Sequence, residues 1–253
     1  MIELKNKIAM ITGASSGIGQ ATARLLHSQG MRIIACGRRE DRLNALRDEL
    51  GKDDVLTLTF DVRDEHAVNA AIGSLPEPWK DIYILVNNAG NAHGLDTLQH
   101  GSTADWDAMI DINVKGLLYV SRAVLPGMVE RNSGHVVNIG SIAGKEVYAN
   151  GAVYCASKHA VDAINKGMRI DLNGTRVKVS AIHPGLVETE FSLVRFKGDA
   201  DRSEQVYKGY DPLQAEDIAH TLLFMVNRPW HVNIADVLIL PSHQAASTIV
   251  SKS

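Results

Sequence analysis

The chain has 253 residues, 45% hydrophobic and 22% charged, with a formal net charge of −3 at pH 7. That composition is globular, and its mild acidity lacks the basic footprint of a nucleic-acid-binding protein. No apolar run approaches the roughly 18 residues that a membrane span needs, the charges of Glu3, Lys5 and Lys7 argue against a signal peptide, and the distant Cys36 and Cys155 form no CxxC pair. The expected location is therefore the cytoplasm.

Short apolar runs alternate with helical patterns. Residues 8–11 are expected as a buried strand, followed by a glycine turn and a helix over about 17–29. A second strand over 31–36 leads to a helix over 41–50, where Leu43, Leu46 and Leu50 recur at helical spacing. Strand 55–60, helix 65–72 and strand 82–86 follow. A long helix is expected over 103–131, capped by Ser102 or Thr103. Strand 134–139, helix 152–172, strand 177–182, helix 215–226 and strand 237–240 complete the series. Alternation of this kind predicts an α/β fold, a Rossmann-like doubly wound parallel sheet with helices on both faces in three layers. One domain is expected over residues 1–253. The unpatterned stretch at about 187–212 reads as a substrate lid, because right-handed crossovers bring every strand's carboxyl end to one rim.

Thr12-Gly13-Ala14-Ser15-Ser16-Gly17-Ile18-Gly19 follows the first strand and opens the first helix. Glycines there permit positive φ and close approach of a pyrophosphate, and the helix N-terminus offers free N–H groups. After the second strand an NAD enzyme usually places a carboxylate for the ribose 2′-hydroxyl. Here the residues are Gly37, Arg38 and Arg39, and two guanidinium groups suit a 2′-phosphate instead, so NADP is the expected cofactor. Asp61, with Val62 beside it, is placed to meet the adenine or to cap the next helix. Tyr154 and Lys158 stand four apart on one predicted helix face. A nearby ammonium favours the phenolate and lowers its pKa, so Tyr154 could move a proton to or from a substrate oxygen. Ser141, on the same rim, could donate a hydrogen bond to that oxygen. Asn113 lies inside the long helix, an odd place for a poor helix former, where it could hold a water leading to Lys158. No two of the ten histidines stand at metal-ligand spacing, and no metal is expected.

Thr12-Gly13-x3-Gly17-x-Gly19, Asn87-Asn88-Ala89-Gly90, Asn113, Ser141, Tyr154-x3-Lys158 and Pro184-Gly185 together resemble the short-chain dehydrogenase/reductase family. The resemblance implies a seven-stranded sheet, Lys158 on the nicotinamide ribose, and Asn88, Ala89 and Gly90 near the cofactor. It places Val187 and Thr189 along the nicotinamide and implies a homotetramer built on the two long helices. Residues 122–131 and 191–199, with Asn233-Ile234 and Pro241-x2-Gln244, are similar to its NADP-dependent 3-hydroxy acid dehydrogenases, a branch that includes serine dehydrogenase and malonic semialdehyde reductase. Such substrates need a cation for their carboxylate, and Arg195 in the lid is the candidate, with His93 a second pocket residue. Lys145, Glu146 and Tyr148 flank the other wall. The alternatives are an NADPH-dependent ketone or 3-ketoacyl reductase and a non-catalytic NADP sensor; the retained Tyr154, Lys158 and Ser141 speak against the sensor.

Overall fold

Every residue of β1 (Ile8–Thr12) is buried, so the strand reads as an unbroken apolar run. Its side chains still part to opposite faces. Ala9 and Ile11 pack with Leu26, Leu43, Leu222 and Met225, whereas Ile8 and Met10 pack with Val68, Val120, Val124 and Met128. The other strands are β2 (Arg32–Gly37), β3 (Val55–Thr59), β4 (Ile82–Asn87), β5 (Gly134–Ile139), β6 (Val177–Pro184) and β7 (Asp236–Ile239). In the computed structural model, which describes residues 1–252, these form one parallel sheet in the order β3-β2-β1-β4-β5-β6-β7. Helices α1 (Gly17–Ser28) and α2 (Glu40–Leu50) cover one face and α3 (Glu65–Gly73) packs on the other. The strand order reverses between β1 and β4, which opens a crevice at their carboxyl ends. The expected three-layer doubly wound fold is present.

Three elements differ from expectation. The long helix is not continuous: α4 (Thr103–Ile110) passes through a π-helical turn (Asp111–Lys115) into α5 (Gly116–Glu130). The cause is Asn113. Its buried amide accepts a hydrogen bond from the Asn91 N–H at 2.9 Å and donates to the Asn91 carbonyl at 2.8 Å and to Ser157 Oγ at 3.0 Å. The wider turn aims this side chain inward at the main chain of Asn91 and at α6 (Ala152–Asp171). At the helix start Ser102, one of the two expected caps, accepts from the Asp105 N–H at 3.4 Å.

The unpatterned stretch 187–212 holds two short helices, α7 (Phe191–Arg195) and α8 (Ala200–Tyr207). Lys197 and Gly198 turn between them with φ of 56° and 93°, and Asp199 caps α8 by accepting from the Arg202 N–H. After α9 (Ala215–Val226) and β7, an unforeseen hairpin joins β8 (Gln244–Ala246) to β9 (Ile249–Val250). Buried Gln244 accepts a hydrogen bond from the Leu186 N–H at 2.9 Å, so the chain's end pins the segment that leaves β6.

Replacing Asn113 by Ala would orphan the half-buried N–H and C=O of Asn91. Urea unfolding is expected to show a loss of about 2–4 kcal/mol, larger than for removal of an exposed polar residue of α5.

Candidate active site

The crevice is built from loops that follow β1, β2, β3, β4, β5 and β6. At its floor Gly13 and Gly17 have φ of 68° and 51°. A Cβ on Gly19 would lie 2.4 Å from the Gly13 carbonyl, so the turn after β1 closes only with glycine there. Ser16 precedes α1 without a side-chain cap, which leaves the first N–H groups of the helix, beside Ile18, open to an anion. Asn88 Nδ2 donates to the Thr12 carbonyl at 2.9 Å and ties the loop after β4 to this turn, with Ala89 and Gly90 following on the crevice wall.

Arg38, Arg39, Asp61 and Val62 form one end. Arg39 donates to Ser15 Oγ and Ser16 Oγ, at 2.7 Å for the latter, and at 2.9 Å to Glu190. Arg38 is more than half exposed and meets Asp61 only at 3.8 Å. Asp61 instead holds Arg63, at 2.6–3.0 Å. It does not cap the following helix; Asp64 does, accepting from the Ala67 N–H.

At the other end Ser141, Tyr154, Lys158, Pro184, Gly185, Val187 and Thr189 come together. Lys158 is buried and donates to the Ile139 carbonyl at 3.0 Å. Burial lowers its pKa to about 8. Ser141 Oγ accepts from the Ala143 N–H at 3.1 Å, and its hydroxyl lies within hydrogen-bonding reach of the Tyr154 phenol. Tyr154 departs from expectation. Burial and the Tyr148 phenol beside it push its pKa up, and the Ser141 hydroxyl and the Arg195 charge only partly oppose this. Lys158 does not draw the phenol down, because its ammonium turns to Ile139. The Asn113 side chain bonds Asn91 and Ser157, and its Oδ1 keeps a second lone pair.

A second cleft beside Tyr154 is lined by His93, Gly94, Asp105, Trp106 and Arg195. Arg195 donates to the Gly94 carbonyl at 3.3 Å and to Tyr148 Oη at 3.2 Å, and its Nη2 is buried with no partner. His93 Nε2 faces Asn91 Nδ2 at 2.9 Å, and burial lowers its pKa, so the ring is neutral. Of the three residues expected on the opposite wall, Tyr148 alone reaches this cleft, through Arg195. Glu146 holds the Ser247 N–H, and Lys145 points behind Ser141 to Asp162 and Asp236 at 2.9 and 2.8 Å. There Asp162, His183 and Asp236 come within 4.8 Å of one another, a grouping that histidine spacing did not reveal. The two carboxylates are already balanced by the ammonium groups of Lys145 and Lys166. Sequence reasoning also missed Arg42 and Glu190, which pair at 2.7 Å across 148 positions. No local pattern could have signalled that contact.

The sequence pattern of short chain dehydrogenases matches residues 7–199. The chain belongs to the short chain dehydrogenase family. Over 239 residues, 94% of this chain and 96% of the relative, it is 49% identical to the NADP-dependent 3-hydroxy acid dehydrogenase YdfG of Salmonella typhi. The closed form of a serine dehydrogenase complexed with NADP+ superposes with a TM-score of 0.93 at 45% identity, covering 97% of this chain and 99% of that one. A serine dehydrogenase from Escherichia coli gives a TM-score of 0.83 at 42% identity, with 94% and 99% covered.

In this short chain dehydrogenase Lys158 titrates near pH 8 when folded, below its usual value of 10.5. Between those values the unfolded chain holds the proton and the folded one does not, so this residue's contribution to stability rises with pH. Below pH 8 both states are protonated and the cost of burying the charge is complete. Lys158→Met is therefore expected to be more stable than the parent at pH 7 without cofactor. Most of that advantage should vanish by pH 10 in paired urea titrations.

Proposed function

We propose that the enzyme transfers a hydride between NADP and small 3-hydroxy acids or the corresponding carbonyl acids, with Arg195 binding the acid group. The observation that carries the substrate reading is the buried, unpartnered Nη2 of Arg195 in the cleft beside Tyr154. A buried guanidinium N–H without an acceptor is costly, and a carboxylate matches its fork. The cofactor reading rests on Arg38 and Arg39 after β2 and on the glycine cradle, where Gly19 admits no Cβ. These residues fit the group: Ser15, Ser16, Arg38 and Arg39 for a 2′-phosphate, the α1 N-terminus for the pyrophosphate, and Asp61 and Val62 for the adenine. Asn88, Ala89, Gly90, Val187 and Thr189 would flank its other half. Bound NADP supplies the hydride acceptor or, when reduced, the donor.

The protein's own groups handle the proton. The raised pKa of Tyr154 keeps its phenol protonated through the neutral range, ready as an acid toward a carbonyl oxygen. Ser141, which accepts from the Ala143 N–H and stands beside the Tyr154 phenol, donates its hydroxyl proton to the same substrate oxygen. Lys158 has ammonium protons beyond the one given to Ile139, and we assign these to the ribose hydroxyls. Asn113 fixes the main chain of Asn91 at the crevice wall. The segment 187–212 serves as the lid, since it carries Thr189 over the glycine turn and Arg195 into the cleft. A homotetramer is supported by exposed Leu118 and Val129 on α5 and Ile170 on α6. The free, buried Cys36 and Cys155 support a cytoplasmic setting.

Arg195→Met should raise KM for a 3-hydroxy acid by about 10- to 100-fold while leaving a neutral alcohol of similar size unaffected. An equal loss on both would refute the carboxylate role. The pH dependence should split by direction. With Tyr154 held above its usual pKa, oxidation should accelerate as pH rises through the alkaline range, and reduction should be fastest at neutral pH or below. Initial rates in both directions from pH 6 to 10 test this, and parallel profiles would count against Tyr154 as the proton carrier.

A further inference from the structure

Three arginines stand around the end of β2, and they are not equivalent. Arg38 is largely exposed, and its partner Asp61 is already engaged by Arg63. Arg39 has no such freedom. Its Nε and Nη2 reach Ser15 and Ser16, and its Nη1 donates to Glu190 Oε2 at 2.9 Å. Arg42, one turn further along α2, donates to both oxygens of the same carboxylate at 2.7 and 2.9 Å. Contact with the two guanidinium groups, Arg39 first, lowers the Glu190 pKa to about 2, so the carboxylate is ionised at every working pH.

Glu190 belongs to the lid, not to the nucleotide loops. Its neighbour Thr189 packs on Gly17, where a Cβ would come within 3.2 Å of Thr189 Cγ2. Phe191 packs on Tyr154 with ring centroids 5.8 Å apart, and α7 ends on Arg195. One short segment thus joins the arginines after β2 to the proton carrier and to the cleft cation.

We propose that Glu190 is a lid clasp that stands in for a 2′-phosphate on Arg39 and Arg42, so that a 2′-phosphorylated nucleotide must displace it and thereby loosens the segment 189–195 from α2. This rests on the NADP reading of the crevice. A dianionic phosphate seated against Ser15 and Arg39 meets a carboxylate already holding the same guanidinium. Like charges that close repel, and the linkage is reciprocal: whatever the phosphate gains by freeing Arg39, the lid loses in attachment. A nucleotide without the phosphate leaves the clasp shut. Because the three side chains are each about 40% exposed, the effect is modest and screened by salt.

The test uses the full-length protein, with adenosine 2′,5′-bisphosphate and ADP as probes in calorimetric titrations. Glu190→Gln should tighten the bisphosphate about three- to tenfold and change ADP less than twofold, with the gain shrinking in 0.5 M salt. In the parent enzyme the bisphosphate, but not ADP, should speed amide hydrogen exchange over residues 187–196 toward the rate seen in Glu190→Gln. A parent enzyme that does not prefer the bisphosphate over ADP would overturn the NADP reading and the clasp with it. A parent that does prefer it, with a Glu190→Gln variant that binds it no better or more weakly, would overturn the clasp alone. Exchange over 187–196 that slows with the bisphosphate would also overturn it.

Discussion

Parallel pairing of seven strands is the constraint from which the remainder follows. Parallel neighbours cannot be joined by tight turns, so each crossover carries a helix, and both faces of the sheet become apolar. The two core clusters, one around Leu26 and Leu222 and one around Val120 and Met128, are the consequence. Parallelism also directs the loops after six strands to one rim. Gly13, Arg38, Asp61, Asn88, Ser141 and Pro184 are distant in the chain and meet only because each follows a strand pointing the same way.

Inside that rim, burial acts in opposite directions on the two central groups. It favours the neutral form of each, raising the phenol of Tyr154 and lowering the ammonium of Lys158. The pair therefore does not share a charge within the protein itself. Lys158 spends one proton on the Ile139 carbonyl, and Tyr154 is surrounded by Ser141, Tyr148 and the Arg195 charge. On the proposed reading, proton chemistry and substrate charge meet in one place, since the Arg195 charge bears on the phenol.

Most of the fold was legible because its signals are local. Apolar runs of strand length, the glycines of the first turn and the four-residue step from Tyr154 to Lys158 each report on their own neighbourhood. What stayed hidden depends on distant partners. Asn113 looks like a poor helix former, and nothing nearby reveals that it bonds Asn91, 22 residues earlier, and bends the helix into a π turn. Asp61 resembles a cap, yet Asp64 takes that role. Glu190 reads as one more acidic residue of a loop until Arg39 and Arg42 are seen against it. Asp162, His183 and Asp236 show no shared motif, and the two lysines that balance the carboxylates lie on a loop after β5 and on α6.

The hairpin at the end of the chain has a mechanical meaning. Gln244 holds the Leu186 amide with its carbonyl oxygen, in the space that the absent side chain of Gly185 leaves open, and its own Nε2 returns to the Ala246 carbonyl at 3.2 Å. The root of segment 187–212 is therefore anchored by a residue nearly sixty positions later. A proteolytic nick or a bulky fusion just past β7 would act on that tie while leaving Ser141, Tyr154 and Lys158 in place. In this fold the last hairpin and the root of segment 187–212 are tied into one unit.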